Sequence, residues 1–327
     1  MAGRVVALAE QNGGYFNRAD ALDCGYSDTQ LRSAVRDKHL RHVRHGTYAL
    51  AETYDELGPE QRHLVLARSV VAGMPGRVAL SHRSGSVAHG HDQWGWDMSV
   101  VDVTRLDKGA GRREAGVIHH EGVVPDGDVV DIAGLPVLSE ERVTVESTLV
   151  LDGEAGLCTV DSALRAGRLS REDLERRLMT YERWRGALRA RVTIRRGDGR
   201  SESVGESRGR HMCWRHAVPA PDLQVEIRDV GSILLGRVDY GWLDHCHVGE
   251  FDGMRKYTRD LRPGEDAGDV VTREKRREDR VRREALGMTR LIWAELDPAR
   301  SARTARLLQV DLQESCRLYT RNRRHFV

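Results

Sequence analysis

The sequence has almost no lysine. Of its 52 basic residues only Lys38, Lys108, Lys256 and Lys275 are lysines, and the other 48 are arginines. A bias of that size is a signature of codon composition, and against it a position that stays lysine stands out. Long hydrophobic runs are missing as well. No apolar stretch approaches the ~18–20 residues that a membrane-spanning helix needs, which argues against an integral membrane protein. Met1-Ala2-Gly3-Arg4 leads straight into an amphipathic segment without a hydrophobic leader core, so no secretion signal is expected. The five cysteines, Cys24, Cys158, Cys213, Cys246 and Cys316, are scattered, and no two have CxxC spacing. That pattern argues against a disulfide framework and a structural zinc site, and makes the reducing cytoplasm the expected location.

What remains is a chain of 327 residues, 39% hydrophobic and 31% charged, with a net charge of +2. Its length suits two or three domains of about 100–200 residues each. The near-neutral total conceals local excess. Arg32, Arg36, Lys38, Arg41 and Arg44 face a single acid, Asp37, across thirteen residues, with His39, His42 and His45 among or beside them. Basic residues also outnumber acids from Arg273 to Arg290 and in the tail from Pro298 to Val327. A polyanion senses such clusters rather than the total.

The first fifty residues predict three short helices and a hairpin. Val5, Val6, Leu8 and Ala9 form one apolar face that stops at Asn12-Gly13-Gly14. Asn17 opens a second helix that ends at Cys24-Gly25. Ser27 and Gln30 have capping-box spacing for a third, with Leu31, Ala34 and Val35 inward and Arg32 and Arg36 projecting together. Leu40, Val43, Tyr48 and Leu50 flank the Gly46 turn. This is the order of a winged helix, whose third helix would enter the major groove while the wing lies on the backbone. Arg32, Arg36, Lys38, Arg41 and Arg44 are the expected DNA contacts. The segments Gly14–Leu22, Gly25-Tyr26-Ser27, Gln30-Leu31-Arg32 and Val43–Tyr48 resemble the N-terminal domain of AbiEi-type antitoxins of type IV toxin–antitoxin systems. The resemblance implies a winged helix that binds promoter DNA, and a cognate toxin as partner.

Residues 60–180 read as mixed helix and strand. Helices are expected at Gln61–Val71, from Ser81, at Leu138–Leu151 and at Cys158–Leu178, with strands at Val100–Val103 and Gly116–His120. His89/His91 and His119-His120 have no carboxylate at matching spacing, so a metal is not expected there. The Ser81–Ser86 run is similar to a helix start in the same AbiEi-like proteins, which implies scaffold rather than a catalytic serine. Arg195–Ser201 reads as a linker.

From about 203 to 296 the order is helix, three strands, helix, strand. Asp239 and Glu250 sit inside apolar strands, where an unpaired charge is costly, and two such acids brought together repel unless a cation bridges them. A hard divalent ion would resolve the conflict and would activate water against a phosphodiester. In the helix expected over Asp269–Leu286, Glu274 and Glu278 fall within the apolar arc, with Lys275 and Arg282 at its edge. The helix with Glu206, Arg237–Tyr240, Val248–Gly253 and Glu278–Arg282 together resemble the PD-(D/E)XK nuclease superfamily, in the branch of very-short-patch-repair endonucleases. That resemblance implies Asp239 and Glu250 as ligands of Mg²⁺ or Mn²⁺ and Glu206 as the helical acid. Asp252 stands where the motif has lysine, so Lys275 or Lys256 would supply the missing cation, with Asp252, Glu274, Glu278 and Arg282 in support.

The expected architecture is an α+β / α/β multidomain chain. A winged helix occupies residues 1–55, a mixed α/β middle domain 56–195, an αβββαβ restriction-endonuclease-like core 200–297, and a basic tail 298–327. Three functions compete. The first is a metal-dependent nuclease acting on double-stranded DNA, in phage defence or a toxin–antitoxin setting. The second is a non-enzymatic AbiEi-like autoregulator with an inactive nuclease fold. The third is an antitoxin that acts by binding its toxin.

Overall fold

The computed structural model describes residues 3–229, 231–253 and 286–319. The chain divides into two compact units, Met1–Asp152 with Leu169–Arg195 and Gly153–Arg168 with Arg196–Val327.

The first unit begins with α1 (Gly3–Gln11), β1 (Phe16–Asn17), α2 (Arg18–Asp23), α3 (Asp28–Arg36), β2 (Leu40–Arg44), β3 (Thr47–Leu50) and α4 (Ala51–Tyr54). The three strands form an antiparallel sheet in the order β1-β3-β2. Val5, Ala9, Phe16, Ala21, Leu31 and Leu40 close one core between this sheet and the helices. The Ser27 box is formed as its spacing predicts: Ser27 Oγ accepts from Gln30 N, and Gln30 Oε1 accepts from Ser27 N at 2.8 Å.

The chain continues through α5 (Pro59–Ala72), β4 (Val78–Leu80), α6 (His82–Ala88), β5 (Val101–Arg105), β6 (Arg112–Glu114), β7 (Val117–His120), β8 (Val129–Ile132), β9 (Leu135–Leu138) and α7 (Glu140–Val150). These strands make a six-stranded mixed sheet, β6-β7-β5-β4-β9-β8. Its valine- and leucine-rich centre packs with α5 and α7 around Val70, Leu80, Val101, Val103, Val137 and Val143.

Cys158–Leu178 is not one helix. It is α8 (Gly153–Arg165) and α9 (Arg171–Met179), parted at Gly167, whose φ of +71° no helix interior accepts. Ser170 then caps α9 through Asp173. α9 is followed by α10 (Ala187–Arg196). α8 belongs to the second unit.

That second unit also contains α11 (Val204–Arg215), β10 (Asp222–Arg228), β11 (Leu234–Trp242), β12 (His247–Asp252), β13 (Gly287–Ile292) and α12 (Pro298–Tyr319). The sheet order is β10-β11-β12-β13. The first three strands are antiparallel, and β13 runs parallel to β12. Residues 254–285, including most of the predicted helix from Asp269, lie outside the described residues. The expected basic tail is instead a long helix as far as Tyr319. Ser301, Ala305, Leu308, Leu312 and Ser315 recur at three- and four-residue spacing and are buried, and the apolar three join Tyr240, Trp242 and Leu291 in one core. The predicted linker Arg195–Ser201 begins in the last residues of α10 and continues as a loop fastened to α8: Asp198 N donates to Asp161 Oδ1 at 2.8 Å and Arg165 to Ser201 O at 2.7 Å.

α11 meets the sheet through two glycines. A Cβ on Gly205 would lie 1.9 Å from the Phe251 ring, and one on Gly209 2.3 Å from the Tyr240 hydroxyl. Gly205→Ala is therefore expected to destabilise this unit by about 1–3 kcal/mol through overpacking. Urea denaturation followed by tryptophan fluorescence checks it, and an unchanged midpoint would show that the ring moves aside without cost.

Candidate nucleic-acid interface

The exposed side of α3 carries Arg32 and Arg36. Arg32 Nε donates to Asp28 O at 3.3 Å, and Arg36 touches Ser33 Oγ at 2.7 Å and Asp37 at 3.2 Å. These contacts are local and solvent-exposed, so they leave both guanidinium groups able to reach a phosphate. Lys38 follows directly with φ +62°, a left-handed backbone that a non-glycine residue seldom adopts. It forms the corner between α3 and β2 and is exposed. Arg44 ends β2 beside the Gly46 turn, where φ is +70°. His42 packs edge-on against Tyr48 at 5.7 Å, and Tyr48 stacks on Phe16 at 5.9 Å.

Arg41 departs from the expectation. It donates two bonds to Asp55, at 2.8 and 2.5 Å, and this pair ties β2 to the segment after α4. The pair is partly exposed, so it occupies the guanidinium without burying it, and a partner fourteen residues away cannot be read from the basic run. Arg18 is a second missed residue. It forms a two-pronged pair with Asp28, both bonds at 2.6 Å, joining the starts of α2 and α3.

In the second unit, Asp239 and Glu250 lie on adjacent antiparallel strands. Continuing the Tyr240–Gly249 and Gly241–Val248 register by one residue places them opposite each other. Asp239 Oδ2 accepts from Phe251 N at 2.8 Å. Glu250 pairs in register with Arg290 on β13, whose guanidinium lies 3.5 Å from Glu250 Oε2 and 3.7 Å from Asp252 Oδ2. Sequence reading did not single out Arg290, because only the parallel pairing of β12 with β13 brings it there. Glu206 has partners of its own, among them Gln224 on β10, the strand paired with that of Asp239. It is buried at the start of α11, where its carboxylate accepts from Ser203 Oγ, Glu202 N and Gln224 Nε2 at 2.8–2.9 Å. Those bonds cap the helix and tie it to Gln224 on β10, whose φ is +54°. Lys256, Lys275, Glu274, Glu278 and Arg282 lie outside the described residues.

Among the described residues, no three His, Cys, Asp or Glu side chains are disposed to hold a metal ion. Asp239 and Glu250 lie on neighbouring strands, and the third acid the resemblance implies, Glu206, bonds Ser203, Glu202 and Gln224. The described residues therefore fall short of a complete divalent-ion site.

The middle histidines take part in a buried network of the first unit. His82 and His120 stack with ring centroids 3.6 Å apart. His82 Nδ1 lies 3.3 Å from Glu146, and His120 Nε2 lies 2.9 Å from Asp102, which Arg83 also grips at 2.7 and 3.1 Å. Arg142 bridges Glu146 and Asp128, and Arg177 bonds Asp128 and Glu141. Burial pushes the His82 imidazole down to about 4, against the pull of Glu146 and with the help of His120. Burial alone would raise the Asp102 carboxyl, but His120 and Arg83 hold it at about 2. His89 and His91 stack with ring centroids 5.9 Å apart, and their Nε2 atoms reach Leu138 O and Glu140 respectively.

Residues 4–51 match the family described as transcriptional regulator, AbiEi antitoxin. The match coincides with the module from α1 to β3. Two relatives from Mycobacterium tuberculosis, the uncharacterized proteins MT2308 (strain CDC 1551) and Rv2248 (strain H37Rv), are each 28% identical over 284 residues, covering 84% of this chain and 98% of their own. The crystal structure of the RV2827C protein from the same organism aligns over 63% of this chain and 79% of its own, with 19% identity and a TM-score of 0.38. No helix among the described residues is long and apolar enough to cross a membrane.

Proposed function

We propose that this chain is a DNA-binding regulator of the toxin–antitoxin kind, working in the cytoplasm beside a cognate toxin. Its N-terminal module acts as a winged helix: α3 enters the major groove, and the β2–β3 hairpin lies against the phosphate backbone. The observation that carries this reading is the coincidence of the antitoxin-family match, residues 4–51, with one closed module whose α3 exposes Arg32 and Arg36. Lys38 and Arg44 extend the basic edge to the hairpin.

The test is fluorescence anisotropy of the full chain on duplex DNA over a range of salt. Each phosphate contact adds about −0.9 to the slope of log affinity against log salt. Arg32→Ala with Arg36→Ala is expected to weaken binding at least ~10-fold and to flatten the slope by about 2. Unchanged binding by the double variant would remove α3 as the reading element.

A second reading, DNA cleavage by the second unit with Mg²⁺ or Mn²⁺, is favoured by one observation, the placement of Asp239 opposite Glu250. The helix–strand order of α11 and β10–β13 suits it as well. Incubating supercoiled plasmid with the full chain, with and without each metal, decides it. Metal-dependent nicking that Asp239→Asn abolishes would support the nuclease, and intact plasmid under both metals would leave the regulator.

A further inference from the structure

Many arginines of the first unit have a carboxylate partner. Arg18, Arg41, Arg77, Arg83, Arg105, Arg142 and Arg177 each hold a carboxylate. The stretch from α9 into α10 breaks that habit. Arg183, Arg185, Arg189 and Arg191 are exposed, and none forms an ion pair among the described residues. Arg189 donates to the Leu149 carbonyl at 2.8 Å, and Arg195 meets Glu175 at 3.7 Å. α10 docks through Ala187, Ala190, Thr193 and Ile194, so its outer face presents Leu188, Arg191, Val192 and Arg195. Trp184, just before the helix, is half exposed.

Arg183, Arg185, Arg189 and Arg191, on one docked helix and the turn before it, outnumber the single exposed acid beside them, Glu182, and make a mainly positive patch. Such a patch attracts a polyanion, and arginine suits phosphate because its planar fork donates two parallel bonds. We infer that this face, centred on Arg183, Arg185 and Arg191, is a second phosphate-contacting surface for duplex DNA, separate from α3. It rests on the DNA-binding reading and extends it. The module from α1 to β3 would read bases, while this face adds affinity without regard to sequence. Leu188 and Val192 lie between the arginines, where aliphatic side chains can pack on deoxyribose.

The experiment uses the full chain, with Arg183→Gln, Arg185→Gln and Arg191→Gln combined. All three positions are exposed, so the melting temperature should match the wild type, which establishes that the variant is folded. The probe is a 30-base-pair duplex, titrated from low to moderate salt beside the Arg32→Ala/Arg36→Ala variant. The triple variant should bind about 10–100-fold more weakly at low salt, with a salt slope flatter by about 3, and should keep the wild-type ratio of affinities between two unrelated duplexes.

Wild-type affinity and slope in the triple variant, with binding lost in the α3 variant, would overturn the inference and leave the α3 reading intact. No DNA binding by the wild type would defeat both. A triple variant that keeps DNA binding but loses wild-type binding to vesicles rich in phosphatidylglycerol would reassign the face to an anionic membrane.

Discussion

Arg142→Met is expected to lower the stability of the first unit by about 3–5 kcal/mol, the cost of leaving a buried charge without its partner. Arg142 is 4% exposed. It donates to Glu146 Oε1 at 2.8 Å and to Asp128 Oδ2 and Val123 O, both at 3.0 Å. Methionine fills much of the same volume but neutralises neither acid. Asp128 would keep Arg177. Glu146 would keep the Tyr181 hydroxyl at 3.0 Å and the neutral imidazole of His82. Burial together with Glu146 pushes the Tyr181 phenol well above its usual range, so it remains a hydrogen-bond donor throughout. The measurement is urea denaturation of the single variant and of Arg142→Met with Glu146→Gln. The double variant should recover part of the loss, because the orphaned charge is gone. A single-variant loss below about 1 kcal/mol would mean that water reaches Glu146 and that the network is not sealed.

Mild acid should weaken both units. His82 in the first and His247 in the second are held down to about 4 by burial, against about 6.5 in an unfolded chain. The folded state therefore binds fewer protons than the unfolded state between those values, and stability present above pH 6.5 is lost as the pH falls toward 4. Each histidine contributes roughly 3 kcal/mol over that window, at about 1.4 kcal/mol per pH unit. Asp102 acts in a separate range. Its lowered carboxyl stabilises the fold above about pH 4 and gives that up only as the pH falls through about 2. The check is the urea midpoint at pH 7.5, 6 and 5 for the wild type, His82→Asn and His247→Asn. Asparagine tolerates the φ of +47° at position 82 and does not titrate, so each variant should show a shallower decline. Parallel curves for all three proteins would assign the acid sensitivity elsewhere.

What the sequence discloses here is what local chemistry decides. The Ser27–Gln30 box, the Gly46 turn and the inward set Leu31, Ala34 and Val35 are short-range features, and the N-terminal module follows from them. The break at Gly167 was legible too, because Ser170 and Asp173 have capping spacing, but the apolar periodicity on either side suggested continuity. The C-terminal helix is harder to see, because arginines dominate the segment while the residues that bury it, Ala305, Leu308 and Leu312, are widely spaced. Other features depend on pairing between distant segments. Arg41 finds Asp55, Arg290 finds Glu250, and Glu206 finds Gln224 only once strands and helices have met. Arg41, expected from the basic run, and Glu206, implied by the nuclease resemblance, thus have partners that neither the run nor the resemblance discloses.

The division of the chain has a consequence for synthesis. Three crossings, at 152/153, 168/169 and 195/196, interleave the two units. α8 leaves the ribosome before α9 and α10, which complete the other unit, yet its own partners come later. Asp161 waits for Ser207 and Arg210, and Glu154 for Arg208. Its apolar side is thus exposed while the rest of that unit is still being made, a long-range closure of the kind that slows folding and invites misassembly. For the same reason, a single cut at 195 does not yield two self-sufficient halves. The upstream fragment carries α8 without the helix it pairs with, and the downstream fragment lacks Glu154 and Asp161, which pair with Arg208 and Arg210.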